Sequence, residues 1–587
     1  MRFLRHALPF ALACALVLPS AHAAELVPPL SEMQPSPQRL APFVQRYLRD
    51  ADSVEHVHDI RFGTRREAAL EALYTGWQAR LAEIDYDSLT LEDRIDWQLL
   101  TRNLARNLRG LEFERKRYKD AESLLPRVSS LIDLAEARRA LEYPDPQRSA
   151  QTLERARKAI ADQVAALDAI EKDDKRKPTA ILANRAAGIL DATRASLKEW
   201  YGFHAGYDPL FTWWNRQPYE ALDPLLGDYA KALRDRFAGG SGPESIVGDP
   251  IGREALMADL ADELIDYTPD ELVKLAEREL AWCEDQMRIA AKEMGYADWK
   301  QALEAVKLRH VAPGEQPKLA LELAHEAIEY VEKNDLVTVP ELAKTDWRMT
   351  MLSPEAQLQA PFFLGGTDVW VAYPTDGMPF DKKMNALRGN NRHFSRAVVH
   401  HELIPGHHLQ HFYNSRYQPH REQLSWTPFW GEGWALYWEF LLWDRGFAAT
   451  PEDRIGMLFW RSHRAARILF SLGFHLGELT PQQAVQLLVD RVGHEPENAA
   501  AEVRRSLQGD YGPLYQAAYM LGGLQFYALH KELVDSGRMT DRAFHDAILK
   551  GGPMPVELVR ARLLDAPPPR ALKAQWRFYD LDGAAAR

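Results

Sequence analysis

His400-His401-Glu402-Leu403-Ile404-Pro405-Gly406-His407-His408 packs four imidazoles and one carboxylate into nine residues. Two His four residues apart on a helix, with a Glu directly after the first, bind Zn²⁺ and supply a general base for hydrolysis. Here the residue four after His401 is Pro405, so that simple pattern fails. His407 follows His401 by six residues, and an unbroken helix would turn it by about 240° and carry it about 9 Å along the axis. Rings so placed could not share an ion. Pro405, however, lacks an N–H and clashes with the carbonyl four residues back, while Gly406 tolerates backbone angles closed to other residues. A bulge or break is therefore written into the helix. If Pro-Gly is absorbed there as two extra residues, His401 and His407 regain a one-turn relation, with Glu402 beside the ion but off the ligand face. His407 and His411 also have the four-residue spacing, but no Glu follows His407, so that alternative lacks an adjacent base.

A catalytic zinc keeps three protein ligands and one open position. The best source of the third is Gly431-Glu432-Gly433-Trp434-Ala435-Leu436-Tyr437-Trp438-Glu439. Thr427-Pro428 provides an N-cap and a first-turn proline, and Trp430, Trp434 and Trp438 recur every fourth residue, which predicts a buried helix. A carboxylate inside such a helix is costly unless it is paired or bound to a cation, so Glu432 is the candidate ligand. Glu439, two turns on, is either a rival ligand or a group that orients one.

The string His-Glu-x-x-Pro-Gly-His at 401–407, followed by Glu-Gly-Trp-Ala at 432–435, resembles the bacterial family filed as domain of unknown function 885. Later blocks continue the resemblance: Arg464-Ala-Ala-Arg467, Gly473-Phe474-His475, Tyr519-Met520-Leu521-Gly522, Phe544-His545 and Gly551-Gly552-Pro553-Met554-Pro555. Ser471 departs from it, standing where that family commonly has an Asp. The family is similar in plan to helical zinc peptidases such as angiotensin-converting enzyme and the oligopeptidases. The resemblance implies a mainly α, two-lobed architecture with a small β element at the cleft. It also implies His401, His407 and Glu432 as Zn²⁺ ligands and Glu402 as general base. Tyr519 would stabilise an oxyanion, and His475 would touch the transition state or substrate.

Helical signals dominate the rest of the chain. Residues 64–83, 94–110, 149–172 and 179–201 carry apolar side chains at three- and four-residue steps, and Thr268-Pro269 and Thr480-Pro481 each open a capping box. Phe237–Gly252 is rich in Gly and Pro and reads as a connector. The one convincing strand runs from Asp368 to Pro374, ahead of the metal-binding segment. There it could pair with an extended substrate, and Tyr373 could line the cleft.

Residues 1–23 combine Arg2 and Arg5, an apolar run and Ala21-His22-Ala23, the pattern of a secretory signal peptide. The expected divisions are the signal at 1–23, an N-terminal helical region at 24–340 and a metal-binding helical region at 341–587. Cys14 lies within the signal without a convincing lipobox, which leaves Cys283 alone and excludes an internal disulfide framework. No other apolar stretch is long enough to span a bilayer, so the expected location is periplasmic or secreted, off the membrane once the signal is cleaved. Net charge is −12, which argues against nucleic acid as a partner. The expected activity is zinc-dependent hydrolysis of oligopeptides. The alternatives are an amidase or esterase on a non-peptide substrate, or a metal- or peptide-binding protein without turnover; a Glu beside the first His argues against mere binding, because storage needs no base.

Overall fold

The computed structural model describes residues 39–240, 242, 245–357, 368–508 and 511–581. The expected signal peptide and Cys14 lie outside these residues. The fold is mainly helical with one two-stranded sheet. The chain opens with α1 (Leu40–Val57), α2 (Thr64–Ala82), α3 (Leu91–Ala121), α4 (Val128–Arg139), α5 (Pro146–Ala165), α6 (Leu167–Lys172), α7 (Ala180–His204) and α8 (Pro209–Phe237). It continues through α9 (Gly252–Asp262), α10 (Pro269–Glu293), α11 (Trp299–Lys307) and α12 (Gln316–Lys333) to strand β1 (Arg348–Met351), α13 (Pro354–Gln357) and β2 (Asp368–Val371). The next helices are α14 (Phe380–Gly389), α15 (Arg392–Glu402), α16 (His407–Tyr417), α17 (Pro419–Ser425), α18 (Pro428–Asp444) and α19 (Pro451–His475). The chain closes with α20 (Pro481–Leu487), α21 (Pro496–Gln508), α22 (Tyr515–His530), α23 (Asp541–Gly551) and α24 (Val556–Leu563).

One local device starts many of these helices. Asp145, Asp208, Thr268, Thr427, Thr450 and Thr480 each precede a proline at the first turn, and each side chain accepts a backbone N–H of that turn. The cap satisfies an orphan donor, and proline's fixed φ suits a position with no N–H to lose. Thr268 and Thr480 complete capping boxes with Glu271 and Gln483, as their spacing predicts.

Buried apolar side chains fall into three clusters. One lies wholly between Ile60 and Phe237, on α4, α5, α7 and α8 and their neighbours. The other two share α18, the helix that carries the tryptophan stripe. Trp430, Trp434 and Trp438 are fully buried, each contributing about 2–3 kcal/mol of apolar burial. Against α18 lies α22, and the two backbones nearly touch. A Cβ on Gly433 would sit 2.6 Å from Gly522 Cα, and one on Gly522 would overlap the Phe429 carbonyl. Only hydrogen-sized side chains permit this crossing.

Polar ties link α3 to the C-terminal half of the chain. Arg421, on α17, donates from Nε to Asp96 at 2.6 Å and from Nη1 to the Gly551 carbonyl at 2.7 Å, with both charged groups fully buried. Arg562 donates to Glu92 at 2.6 Å. A buried ion pair is weak evidence for stability, but removing one partner strands the other, so these contacts hold the register of α3 on α17.

The strand expected at Asp368–Pro374 is shorter, ending at Val371, and it pairs in parallel with β1, which sequence alone did not mark. Val369 and Val371 face inward while Asp368 and Trp370 face out.

Candidate metal centre

Of the expected bulge or break, the structure has the break. Helix α15, capped by Asn391 accepting from His393 N and Phe394 N, ends at Glu402, and α16 begins at His407 as a separate helix. Between them the Ile404–Pro405 peptide is cis, and Gly406 N donates to the His400 carbonyl at 3.0 Å. A side chain at Gly406 would overlap the His401 carbonyl oxygen, so the tight return of the chain requires glycine there. Two hydrogen bonds pin the break onto α18. Trp434 Nε1 donates to the Pro405 carbonyl at 2.9 Å, and Gln410 Nε2 donates to the Trp430 carbonyl at 3.1 Å. The tryptophan stripe therefore does more than fill the core, since it sets where α16 lies relative to Glu432.

His401 and His407 converge as the sequence predicts, with ring centroids 5.0 Å apart and planes at 84°. Glu432 completes the group: its Oε2 lies 2.9 Å from His407 Nε2 and 3.5 Å from His401 Nε2. One ligand atom from each of the three residues falls within 4.8 Å of the others. Two imidazole nitrogens and one carboxylate oxygen form a donor set that suits a catalytic zinc, which takes three protein ligands. Glu432 is buried and paired with the two His and with Tyr515, whose hydroxyl donates to Oε1 at 2.5 Å. Among the described residues no arginine forms an ion pair with it; its close partners are the two His and Tyr515. Sequence reasoning missed Tyr515, one turn before Tyr519 on α22, and no motif points to it.

Glu439 is not a competing ligand. Its Oε1 lies 2.8 Å from His401 Nδ1, on the side of the ring away from Glu432. That contact turns Nε2 towards Glu432, the arrangement in which an outer carboxylate orients a metal-binding imidazole. Glu402 follows His401 directly and keeps part of its surface open.

Electrostatics separate these acids. Burial alone would raise Glu432, but His407 and His401 hold its pKa well below the ordinary carboxylate value. Burial would likewise lower His401, yet Glu432 and Glu439 at its two nitrogens outweigh it and hold the ring up to about 9. For Glu402 burial wins over the nearby His, and its pKa is raised. A carboxylate moved towards neutrality next to a cation site is placed to accept and return a proton.

The other imidazoles of the motif have different surroundings. His400 is fully buried against Phe447, neither ring nitrogen has a hydrogen-bond partner among the described residues, and burial lowers its pKa to about 3. His408 Nε2 meets the Ala343 carbonyl at 2.8 Å, and the half-exposed His411 faces Glu422 at 3.3 Å. The alternative pair of His407 with His411 is not assembled.

Tyr519 stands beside the centre, its ring nearly parallel to His401 at 6.2 Å. His475 does not join it. It ends α19, eight residues beyond Arg467 and so roughly 12 Å along the helix, and its charged neighbours are Arg117 and Asp249. Tyr373 follows β2, half-buried, with its carbonyl accepting from Gln357 Nε2 at 2.9 Å; among the described residues it has no hydrogen bond or ring contact to the centre. Ser471 Oγ donates to the Pro513 carbonyl at 3.1 Å.

A family model described as "Bacterial protein of unknown function (DUF885)" matches residues 47–563. The chain belongs to this family. Its fold is similar to two solved structures. One is a putative lipoprotein of unknown function from Shewanella oneidensis, with TM-score 0.64 and 17% identity over 89% of this chain and 99% of that one. The other is a putative lipoprotein from Colwellia psychrerythraea, with TM-score 0.56 and 16% identity over 91% and 97%. No curated protein matches the sequence. At these identities the likeness speaks for the fold alone, and the reading of this DUF885 member rests on its own residues.

Proposed function

We propose that this protein is an exported zinc-dependent peptidase, built on the two-lobed plan of the helical zinc peptidases, that hydrolyses oligopeptides. The observation that carries the reading is the meeting of His401, His407 and Glu432 around one point, with Glu439 holding the far nitrogen of His401 and Glu402 at the rim. His401, His407 and Glu432 would hold the ion. Zinc supplies Lewis acidity there, polarising a carbonyl and lowering the pKa of water. The chain's own groups do the rest. Glu402 takes the proton of the attacking water and returns it to the leaving amine, a role its raised pKa suits. Tyr519 donates a hydrogen bond from its hydroxyl to the oxygen that gains charge at the attacked carbon. Tyr515 keeps Glu432 from swinging away.

Export is supported by the leader-like residues 1–23 and by the description of both similar structures as putative lipoproteins. No described helix is long and apolar enough to cross a membrane.

The test pairs elemental analysis with a peptide-library digest read by mass spectrometry, using Glu402→Gln, His407→Ala and the parent. Glu402→Gln should retain about one zinc per chain and lose turnover, while His407→Ala should lose the metal. Loss of zinc from Glu402→Gln would make that residue a ligand and overturn its role. A zinc-loaded parent that hydrolyses amides or esters but no peptide would give the site to the amidase or esterase reading.

A further inference from the structure

Beside the centre lies a group of buried cations. Arg464 and Arg467, one turn apart on α19, place their guanidinium carbons 5.3 and 4.4 Å from the Tyr519 ring centroid. Arg505 lies near Tyr511, in the loop that precedes α22. Two of the three are committed to Glu502. Arg467 meets Glu502 Oε1 through Nε and Nη2 at 2.7 Å each, and Arg505 Nη2 reaches Oε2 at 3.2 Å.

Arg464 differs. It is only 5% exposed, yet it makes no hydrogen bond among the described residues. Its nearest acid, Glu439 Oε1, is 3.7 Å from Nη2, beyond hydrogen-bond reach, and that same oxygen already meets His401 Nδ1. A guanidinium carries five N–H donors, and leaving them all idle in a buried place is expensive unless something else takes them. Nε is sealed in without a partner, whereas the two terminal nitrogens are not among the sealed atoms. Glu439, Glu432 and Glu402 are the acidic neighbours of Arg464, but among the described residues none of them hydrogen-bonds it, which leaves it the one guanidinium of the three without such a bond.

We infer that Arg464 binds a carboxylate of the substrate, and that in the preferred substrate this is the free α-carboxylate of a peptide's C-terminus. The inference rests on the peptidase reading and narrows it to peptides cleaved close to that end. Arg464 Nη2 and His401 Nδ1 lie 3.7 and 2.8 Å from the same Glu439 oxygen, which keeps the guanidinium within reach of a short peptide segment held at the centre. An acidic side chain at that position offers the same chemistry, and the probes below separate the two sources.

The test uses the mature protein as its zinc-loaded Glu402→Gln variant, so that binding is read without turnover. Isothermal titration compares the tripeptide Ala-Ala-Phe, its C-terminal amide, and Ala-Glu-Phe amide. The free acid should bind about ten- to a hundredfold more tightly than its amide, the range for a charge-assisted contact. Adding Arg464→Gln should erase that difference while changing amide binding less than about twofold, and Arg464→Lys should restore part of it. Equal binding of acid and amide by the Glu402→Gln protein overturns the proposal without reference to any Arg464 variant. So does an Arg464→Gln protein that weakens both peptides alike, since Arg464 would then act only through Glu439 and His401. Tight binding of Ala-Glu-Phe amide keeps the carboxylate site but overturns the terminal source. Arg464-dependent binding of the free acid, together with a parent that cleaves no peptide, sinks the peptidase reading and leaves this site standing.

Discussion

Glu439 offers a decisive perturbation, because it supports the centre without serving as one of the three converging groups. Its Oε1 meets His401 Nδ1 at 2.8 Å and has Arg464 Nη2 at 3.7 Å, all in the buried interior. Removing it frees the imidazole to rotate and makes Nε2 a weaker donor. Loss of such an outer carboxylate typically weakens metal binding 10–100-fold, which is about 1.4–2.8 kcal/mol. Glu439→Gln keeps the shape and one acceptor oxygen, so it should fall at the lower end. Glu439→Ala also opens a cavity beside α19 and leaves Arg464 without its nearest counter-charge, so it should reach the upper end and cost folding stability as well. The assay is competition for Zn²⁺ against a chromophoric chelator near neutral pH, with circular dichroism confirming the fold. A double variant, Glu439→Gln with Arg464→Gln, separates the effects, since it should recover stability but not zinc affinity. Unchanged zinc affinity in both single variants would refute the reasoning, because the orientation of His401 would then not depend on Glu439.

Three further outcomes follow from the geometry. Tyr515→Phe removes the hydroxyl that donates to Glu432 Oε1 and should weaken zinc about tenfold in the same competition, with little change in melting temperature. Gly522→Ala drives a methyl group into the Phe429 carbonyl and must part α18 from α22, so urea unfolding should show a loss of about 3 kcal/mol or more. Asp453 is held down to about 2 despite its burial by His393, Thr450 and Arg396. Its folded value lies below the unfolded one, so its contribution is complete above the unfolded pKa, near 4, and disappears as pH falls through about 2. Asp453→Asn should therefore cost about 2 kcal/mol in urea unfolding at pH 6, and the gap to the parent should close between pH 4 and 2.

The sequence by itself determined every feature that depends on near neighbours in the chain. Thr-Pro and Asp-Pro pairs marked helix starts because a cap and a first-turn proline act within three residues. The four-residue spacing of Trp430, Trp434 and Trp438 announced a buried helix, and Pro405-Gly406 announced that the helix carrying His401 could not continue to His407. The identity of the three converging residues was also legible, since an acid inside an apolar helix needs a cation or a partner.

Only the tertiary structure decided what lies across the chain. The direction of the break is set by Trp434 and Gln410, whose hydrogen bonds to the Pro405 and Trp430 carbonyls tie it to α18, which no local pattern encodes. Glu439 became a support for His401 and not a rival ligand, because the ring presents one nitrogen to each carboxylate. His475 parted from the centre through the straight run of α19, which carries it roughly eight residues past Arg467. Tyr515 belongs to no motif, and Arg464, although part of the Arg464-Ala-Ala-Arg467 block, has no role legible in that block. Their meaning comes from which charges they face, and those charges arrive from segments dozens of residues away, brought there by packing of apolar surfaces and not by any signal along the chain.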